Sequence, residues 1–138
     1  MKLASLPALV FLMTAMFLFN ACSNTTANLT GEWKLVSYGD AAAPTPALPG
    51  VDTSISFEDG QFGGTVGCNT FGGDYKINGD QMSIGSVFST MMFCDQTSTQ
   101  ESAVLAILSD QTMTVTQSEN LLTLSSTDGK SVVTLEKK

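Results

Sequence analysis

The sequence predicts an α+β domain that is mainly antiparallel β, with a curved sheet or partly open barrel of about eight strands and one helix packed against it. Apolar and polar residues alternate along most of the chain. Two tight-turn signals, Asp59-Gly60 and Asn78-Gly79, join alternating stretches. Only residues 99–109 carry apolar side chains at helical spacing. A twisted sheet of this size buries its apolar face by curling.

The first strand is predicted over residues 31–38. Trp33 and Leu35 share one face of it, and a single tryptophan on a strand is expected in the core. Residues 39–50 follow with three prolines and are predicted to form an irregular loop. This loop carries no chemistry of its own, so we expect it to cover part of the fold.

The other strands are predicted where apolar residues recur at every second position. These pairs are Ile55 and Phe57, Tyr75 and Ile77, Met82 and Ile84, Met113 and Val115, Leu122 and Leu124, and Val133 and Leu135. Phe62, Gly64 and Val66 continue the alternation on the strand after Asp59-Gly60. An Asp128-Gly129 turn precedes the last strand. Residues 85–95 predict a strand or extended segment that leads to Cys94.

The helix is predicted from Thr99 to Ser109. Residues 98–101, Ser-Thr-Gln-Glu, match a capping box, in which Glu101 would bond back to the helix N-terminus. Asp74 and Asp95 are the other carboxylates near the glycine-rich part of the chain, and both are expected to be solvated. Acid–base catalysis by paired carboxylates is therefore not expected.

Charge and composition exclude several functions. The 138 residues carry a net charge of −7, with six basic and thirteen acidic side chains. Every basic residue is a lysine, and there is no histidine. A nucleic-acid-binding protein needs a basic face to neutralise phosphates, so no nucleic-acid partner is expected. Histidine-based triads and arginine clamps are excluded as well.

Residues 1–21 have the plan of a lipoprotein signal peptide, with Lys2 before an apolar run and Ala21 at the cleavage point. Cys22 follows directly, which resembles lipoprotein signals in which the cysteine is acylated and becomes the new N-terminus. The alternative is an uncleaved membrane span, but the run is short for the roughly 20 residues that such a helix needs. We therefore predict lipidation at Cys22.

Residues 22–28 are rich in serine, threonine and asparagine and are predicted to be a lipidated tether, which leaves residues 29–138 as the domain. Ser23, and not aspartate, follows the cysteine, which by resemblance to enterobacterial sorting permits delivery to the outer membrane. These features predict a lipid-anchored protein of the bacterial cell envelope, on the outer membrane facing the periplasm, with the membrane as a partner through the N-terminal lipid.

The densest glycine run, residues 63–75, is predicted to turn sharply between two strands, with Cys68 and Asn69 at the corner. Asn69 is expected to hydrogen-bond the neighbouring backbone in the turn. The run lacks the Gly-Lys-Ser/Thr ending of a phosphate-binding loop, and a strand follows it in place of a helix. Phosphate binding is therefore not expected here.

Cys68 and Cys94 are the two cysteines besides Cys22, and an exported compartment favours a disulfide between them. Closing a loop of this size stabilises a fold by roughly 3–4 kcal/mol in the chain-entropy model. The alternative is a reactive thiol, whose pKa only a lysine or a helix N-terminus could lower in a chain without histidine or arginine. A metal site would lack histidine ligands, so neither a metal nor a cofactor is expected.

Three consecutive residues, Met91, Met92 and Phe93, are apolar. A strand with one solvent-exposed face needs apolar side chains only at every second position. We expect these side chains to pack in the core where strand meets helix, because methionine is usually buried. The alternative is an exposed surface that binds an apolar ligand or a partner's strand, since methionine-rich surfaces adapt to their ligands.

Two segments together resemble the META domain of HslJ-like bacterial lipoproteins: Gly-Cys-Asn-x-Phe-x-Gly, and Thr-x-Met-x-Cys followed by a glutamate. The matching residues are Gly67, Cys68, Asn69, Phe71, Gly73, Thr90, Met92, Cys94 and Glu101. Trp33 and Leu35 match the family's opening Trp-x-Leu, and the resemblance runs from about Leu29 to the C-terminus. It implies a curved β architecture with a helix and a link to heat-shock and antibiotic-stress responses, but no agreed biochemical activity.

The leading functional hypothesis is a non-catalytic envelope lipoprotein that binds an envelope protein or a small apolar ligand and assists envelope integrity or the stress response. One rival is a thiol-dependent enzyme that uses Cys68 or Cys94 with Asn69. Another is a purely structural periplasmic module, which would have no ligand.

Overall fold

The computed structural model describes residues 27–138, so Cys22 and the predicted signal peptide lie outside it. Its elements are β1 (Gly31–Asp40), β2 (Thr45–Pro46), β3 (Ser54–Glu58), β4 (Gln61–Thr65), β5 (Thr70–Asn78), β6 (Gln81–Ile84), β7 (Phe88–Ser89), α1 (Ser98–Leu108), β8 (Thr112–Ser118), β9 (Leu121–Ser126) and β10 (Ser131–Lys137).

Eight of these strands form a closed antiparallel barrel within residues 27–138. The order around the barrel is β1, β3, β4, β5, β6, β8, β9 and β10, and pairing between β10 and β1 closes it. β2 and β7 are two-residue additions that pair with β1 and β5. The predicted antiparallel fold with one helix is confirmed, and the barrel is closed, not partly open.

Closure depends on β1, which is longer than its prediction and pairs with three other strands. Leu35 lies opposite Leu135 of β10, and the register shifts between Leu35 and Ser37. A bulge of this kind bends and twists a strand. Because of this bend, β1 pairs with β10 along one edge and with β3 and then β2 along the other.

The two predicted tight turns differ in how closely they follow the sequence signals. Asp59-Gly60 forms the β3–β4 turn with φ of 48° and 79°, both positive as a type I′ turn requires. In the next hairpin Asn78 pairs with Gln81, so the turn residues are Gly79-Asp80, one position later than predicted. Gly79 has φ of 64°, a conformation that glycine adopts without steric cost.

Alternating apolar residues fill the inside of the barrel. Trp33 is fully buried, as predicted, and its Nε1–H donates a 2.8 Å hydrogen bond to the carbonyl of Leu29. The other large side chains with almost no exposure are Phe57, Ile55, Met82, Leu108, Met113, Leu122, Leu124 and Leu135. The gaps left between them have no room for a water molecule. The interior is therefore packed core.

The two ends of the barrel are covered differently. α1 lies across one end, the helix end, where Val104 and Leu108 are buried. The connections at the helix end are residues 41–53, 66–69, 85–111 and 127–130. The opposite end, the tether end, carries residues 27–30 and the turns at 59–60, 79–80 and 119–120. In the described chain, no helix is both long and apolar enough to cross a membrane.

Candidate functional site

The carboxylate of Glu101 organises the corner between β4 and β5, residues 66–69. Glu101 lies in the first turn of α1 and is only 6% exposed. Its Oε1 accepts hydrogen bonds from the backbone N–H groups of Cys68 and Asn69 and from the Thr97 hydroxyl. Its Oε2 accepts one from Nδ2 of Asn69, and both bonds from Asn69 are 2.8 Å long. One side chain thus ties the helix to the corner.

The predicted capping box is wrong. α1 begins at Ser98, with Thr97 as the residue before it, and no side chain caps it by a hydrogen bond. The Glu101 carboxylate does not accept the backbone N–H of Ser98, as the predicted capping box requires, because its oxygens accept the N–H groups of the corner and the Thr97 hydroxyl. The helix also ends at Leu108, one residue before the predicted end.

Two opposing effects set the pKa of Glu101. Burial disfavours the charged form and by itself would raise the pKa. The hydrogen bonds from Asn69, Cys68 and Thr97 favour the charged form and outweigh burial, so the pKa of Glu101 lies below its usual value. Glu101 is therefore ionised at neutral pH, and no ion pair among residues 27–138 includes it.

Asn69 connects this carboxylate to the segment before the helix. Its Oδ1 accepts hydrogen bonds from the backbone N–H of Met92, at 2.7 Å, and from the Thr90 hydroxyl, at 2.9 Å. Its Nδ2 donates to the Met92 carbonyl at 2.9 Å and to Glu101. We expected Asn69 to bond its own turn, which is wrong: its side chain binds a segment more than 20 positions away.

Gly67 lets the helix approach the corner. A Cβ placed on Gly67 would overlap Oε1 of Glu101 and lie 2.7 Å from Cβ of Thr97. The backbone of Gly67 does not have a positive φ. Between residues 61 and 78 a positive φ occurs at Gly64, where it is 152°. Most glycines of the run therefore serve close approach. A Cβ on Gly73, for example, would lie 3.0 Å from the ring of Phe62.

A disulfide joins Cys68 of the corner to Cys94, with Cα atoms 6.3 Å apart. It fixes the far end of the segment whose middle is held by Asn69. The predicted pairing is present, and the reactive-thiol alternative does not describe this form of the protein because both sulfur atoms are bonded.

Gln100 is a second side chain of α1 that contacts the corner, and the sequence patterns do not predict this contact. It is fully buried, its Nε2 donates to the Val66 carbonyl at 2.5 Å, and its Oε1 accepts from the Leu48 N–H at 2.8 Å. It thereby joins α1 to the corner and to the predicted covering loop. Its position inside the capping-box pattern suggested only local roles, and no pattern in the sequence pairs it with Leu48.

The segment from Phe88 to Phe93, named the apolar segment here, is exposed to solvent. Met91 is 96% exposed, Phe93 85%, Phe88 72% and Met92 60%. The expectation that the Met-Met-Phe run packs in the core is wrong, and its alternative, an exposed apolar surface, describes the structure. The extended prediction for this region holds, although only Phe88–Ser89 pairs as a strand.

A cleft of about 370 Å³ lies between the apolar segment and α1. Met91, Met92 and Phe93 line one side, and Ser98, Ser102 and Leu105 of the helix line the other. Asn69 and Glu101 also line it. The cleft therefore combines apolar walls with the polar groups that hold the segment in place.

The surroundings of the cleft are acidic. Glu101 lines the cleft, Asp95 follows the lining residue Cys94, and no lysine is among the described residues that line it. Asp74 and Asp95 are exposed, as predicted. Within residues 27–138 no group of three or more cysteine or carboxylate side chains is arranged to hold a metal ion. The site offers contacts to apolar and positively charged groups.

The nine residues of the sequence motif divide into two sets. Seven lie in or on the Asn69–Glu101 network or the disulfide: Gly67, Cys68, Asn69, Thr90, Met92, Cys94 and Glu101. Phe71 is buried in the core, and Gly73 packs against Phe62. The motif thus describes how the apolar segment is held.

Solved structures with similar folds support this architecture. A protein from Burkholderia xenovorans, solved by NMR, is 20% identical over 80% of this chain and 83% of its own, with a TM-score of 0.65. A DUF4847 family protein from Bacteroides vulgatus is 16% identical, covers 80% and 94%, and has a TM-score of 0.60. A lipocalin-like protein from Bacteroides uniformis is 22% identical, covers 81% and 100%, and has a TM-score of 0.54.

No curated protein matches the chain. The model of one family, described as the META domain, matches residues 27–138. That match spans the closed barrel, the helix, the Asn69–Glu101 network and the disulfide. The chain therefore belongs to the META domain family.

Proposed function

We propose that this protein is an envelope lipoprotein whose META domain is a non-catalytic binding module, with Met91, Met92 and Phe93 as its contact surface. The partner would be an envelope protein or a small apolar ligand, and the biological role would lie in envelope integrity or the stress response. The observation that carries this proposal is that a strongly apolar segment is exposed and yet held by specific bonds.

Exposed apolar surface is costly in water, so a protein that fixes such a surface in one conformation has a use for it. The Met92 backbone makes two hydrogen bonds to Asn69, and the disulfide holds Cys94. A segment that is ordered before binding loses less conformational entropy when a partner docks. The network around Asn69 therefore serves affinity as well as stability.

The proposed contact surface lies outside the barrel, whereas some barrel proteins hold their ligands inside. Side chains such as Phe57, Met82 and Leu135 leave no room for a water molecule inside. A ligand would therefore bind outside the barrel, in the cleft beside α1. A binding or structural module agrees with the META family and with the fold shared with a lipocalin-like protein.

An envelope location is supported by the sequence of residues 1–22 and by the disulfide, because disulfides persist in oxidising compartments outside the cytosol. The thiol-dependent enzyme is not proposed, because it needs a free thiolate at Cys68 or Cys94 and both are bonded. Mass spectrometry of the protein extracted from its own membranes tests the anchor. An acylated N-terminus at Cys22 supports it, and an unmodified chain that still contains residues 1–21 contradicts it.

The binding surface is tested by photo-crosslinking in living cells that express the full chain. A photoreactive phenylalanine analogue is placed at Phe93 in one strain and at Leu121 in another. Leu121 is the matched control, because it is 44% exposed and lies at the tether end. We expect a discrete adduct from position 93 and none from position 121. Equal adducts from both positions, or none from position 93, would contradict the proposed surface.

A further inference from the structure

Charge and topology narrow the class of partner that fits this surface, and the inference rests on the proposed function. We propose that the cleft binds a protein segment whose apolar residues pack on Met91 and Phe93 and whose lysine or arginine side chains face Glu101 and Asp95. The occupant is therefore a basic, amphipathic segment of another protein in the aqueous space of the envelope.

The charge of the cleft is complementary to that of a basic partner. Glu101 is an ionised, largely buried carboxylate with no cationic partner among the described residues. Its Oε1 accepts three hydrogen bonds but its Oε2 accepts only one, and each carboxylate oxygen can accept two or more. Oε2 therefore keeps acceptor capacity in a residue that lines the cleft. A lysine or arginine side chain of a partner would donate a further hydrogen bond to Oε2 of Glu101.

Among residues 27–138 no lysine lines the cleft, and Asp95 beside it is acidic. Asp95 is exposed next to the disulfide, and Asp110 accepts a hydrogen bond from Ser86 close to the start of the apolar segment. Between Lys76 and Lys130 the sequence has no basic residue. An anionic lipid surface attracts lysine and arginine and repels carboxylates. A second copy of this chain would bring the same acidic rim. A basic partner fits better than either.

The described chain enters the barrel at the end opposite the cleft. Ala27 lies at the tether end, where it lines a hollow with Gly79, Asp80 and Glu119. The apolar segment lies at the opposite end of β5, beside Thr70 and Phe71. A nine-residue strand is about 27 Å long, whereas the five Cα steps from Cys22 to Ala27 reach at most about 18 Å. A lipid on Cys22 would thus keep the tether end at the membrane and the cleft on the far side.

The test uses the full chain in nanodiscs of uncharged phosphatidylcholine, with the methyl groups of Met91 and Met92 followed by NMR. The probes are two capped pentapeptides of alternating residues, Lys-Leu-Lys-Leu-Lys and Glu-Leu-Glu-Leu-Glu. We expect the lysine peptide to shift both methyl signals and to bind at least about tenfold more tightly than the glutamate peptide, which corresponds to about 1.4 kcal/mol. Phe93→Ser should weaken binding of the lysine peptide by about tenfold, and Leu121→Ser should leave its affinity unchanged.

The outcomes separate this inference from the proposed function. If both peptides bind equally and Phe93→Ser weakens both, the surface is right and the basic partner is wrong. If neither peptide shifts the methionine signals while position 93 still forms adducts in cells, the inference is overturned and the binding function stands. Phe93-dependent shifts caused by anionic phosphatidylglycerol nanodiscs, or by raising the protein concentration alone, would overturn it in favour of a membrane or of a second copy.

Discussion

Asn69 and Glu101, 32 positions apart in the sequence, are joined by two 2.8 Å hydrogen bonds, one from the backbone N–H and one from the side-chain amide of Asn69. The same amide group holds the backbone of Met92 through its other contacts. Asn69 therefore links the exposed apolar segment to a side chain of α1. This relationship makes the stability of the helix end and the order of the binding surface depend on each other.

Removing the charge of Glu101 should destabilise the domain. Glu101→Gln places an amide N–H₂ group among donors from Cys68 and Asn69, and we expect a loss of about 2–3 kcal/mol in the free energy of unfolding at neutral pH. Urea unfolding measures it, with the exposed Glu58→Gln as the control that should change little. A loss as small as that of the control would show that the carboxylate charge is not what holds the corner.

The same variant should lose its defect in acid. Because the folded-state pKa of Glu101 is lowered, its charge stabilises the fold above the ordinary carboxyl value of 4.5, and that contribution disappears as the pH falls through the lowered pKa. The difference in unfolding free energy between wild type and Glu101→Gln should be constant near neutral pH and shrink in acid. A difference that grows on acidification would reverse the assigned direction of the pKa shift.

Gly67→Ala should disrupt the corner although alanine is a small residue. The new methyl group would overlap Glu101 and approach Thr97, so we expect a loss of about 1–3 kcal/mol from overpacking. Gly85→Ala is the matched control, because its nearest neighbour would be a carbonyl 3.8 Å away and its φ is not positive. Thermal unfolding of both variants gives the comparison, and equal midpoints would refute the packing account of Gly67.

Asn69→Asp should lower the free energy of unfolding more than Asn69→Ala does at neutral pH. An aspartate would place a second carboxylate against Oε2 of Glu101, and like charges at that distance disfavour each other's ionised form. The raised folded-state pKa of this pair means that proton uptake favours the fold, so the Asp variant should recover relative to the Ala variant as the pH falls from about 7 to about 5. If the unfolding free energies of the two variants change with pH in the same way, the carboxylate at position 69 does not interact with that of Glu101.

Reducing the disulfide should lower stability without opening the barrel. Loss of a crosslink across 26 positions costs about 3–4 kcal/mol in the chain-entropy model. Because the core strands pair without help from Cys68 or Cys94, the reduced protein should keep its far-ultraviolet circular dichroism while its denaturation midpoint falls. An unchanged midpoint with and without reductant would mean that the bond contributes little to the fold.

The parts of the fold that the sequence predicts are those set by neighbouring residues. Alternation places Trp33 and Leu35 inward, and the Asp59-Gly60 pair fixes its turn, because both depend on a few adjacent side chains. Closure of the barrel instead depends on the pairing of Leu35 with Leu135, which are 100 positions apart. Nothing local specifies that pairing, so the sequence supports only a curved sheet or a partly open barrel.

The candidate site was harder to predict for the same reason. Asn69 and Glu101 belong to patterns with common local uses, a turn and a capping box, and their real partners come from tertiary contact. Met91 and Phe93 were expected inside because apolar residues are usually buried, a rule that fails where a protein keeps a surface for binding. The disulfide was predictable because only two cysteines remain after Cys22.

The most direct test of the central claim, that the apolar segment is held in one conformation while its side chains are exposed, is hydrogen exchange at the Met92 amide. That N–H donates to Oδ1 of Asn69 at 2.7 Å, although Met92 is 60% exposed. We predict marked protection of this amide in the wild-type protein and its loss in Asn69→Ala. Exchange in the wild type as fast as in an unstructured peptide would contradict the claim.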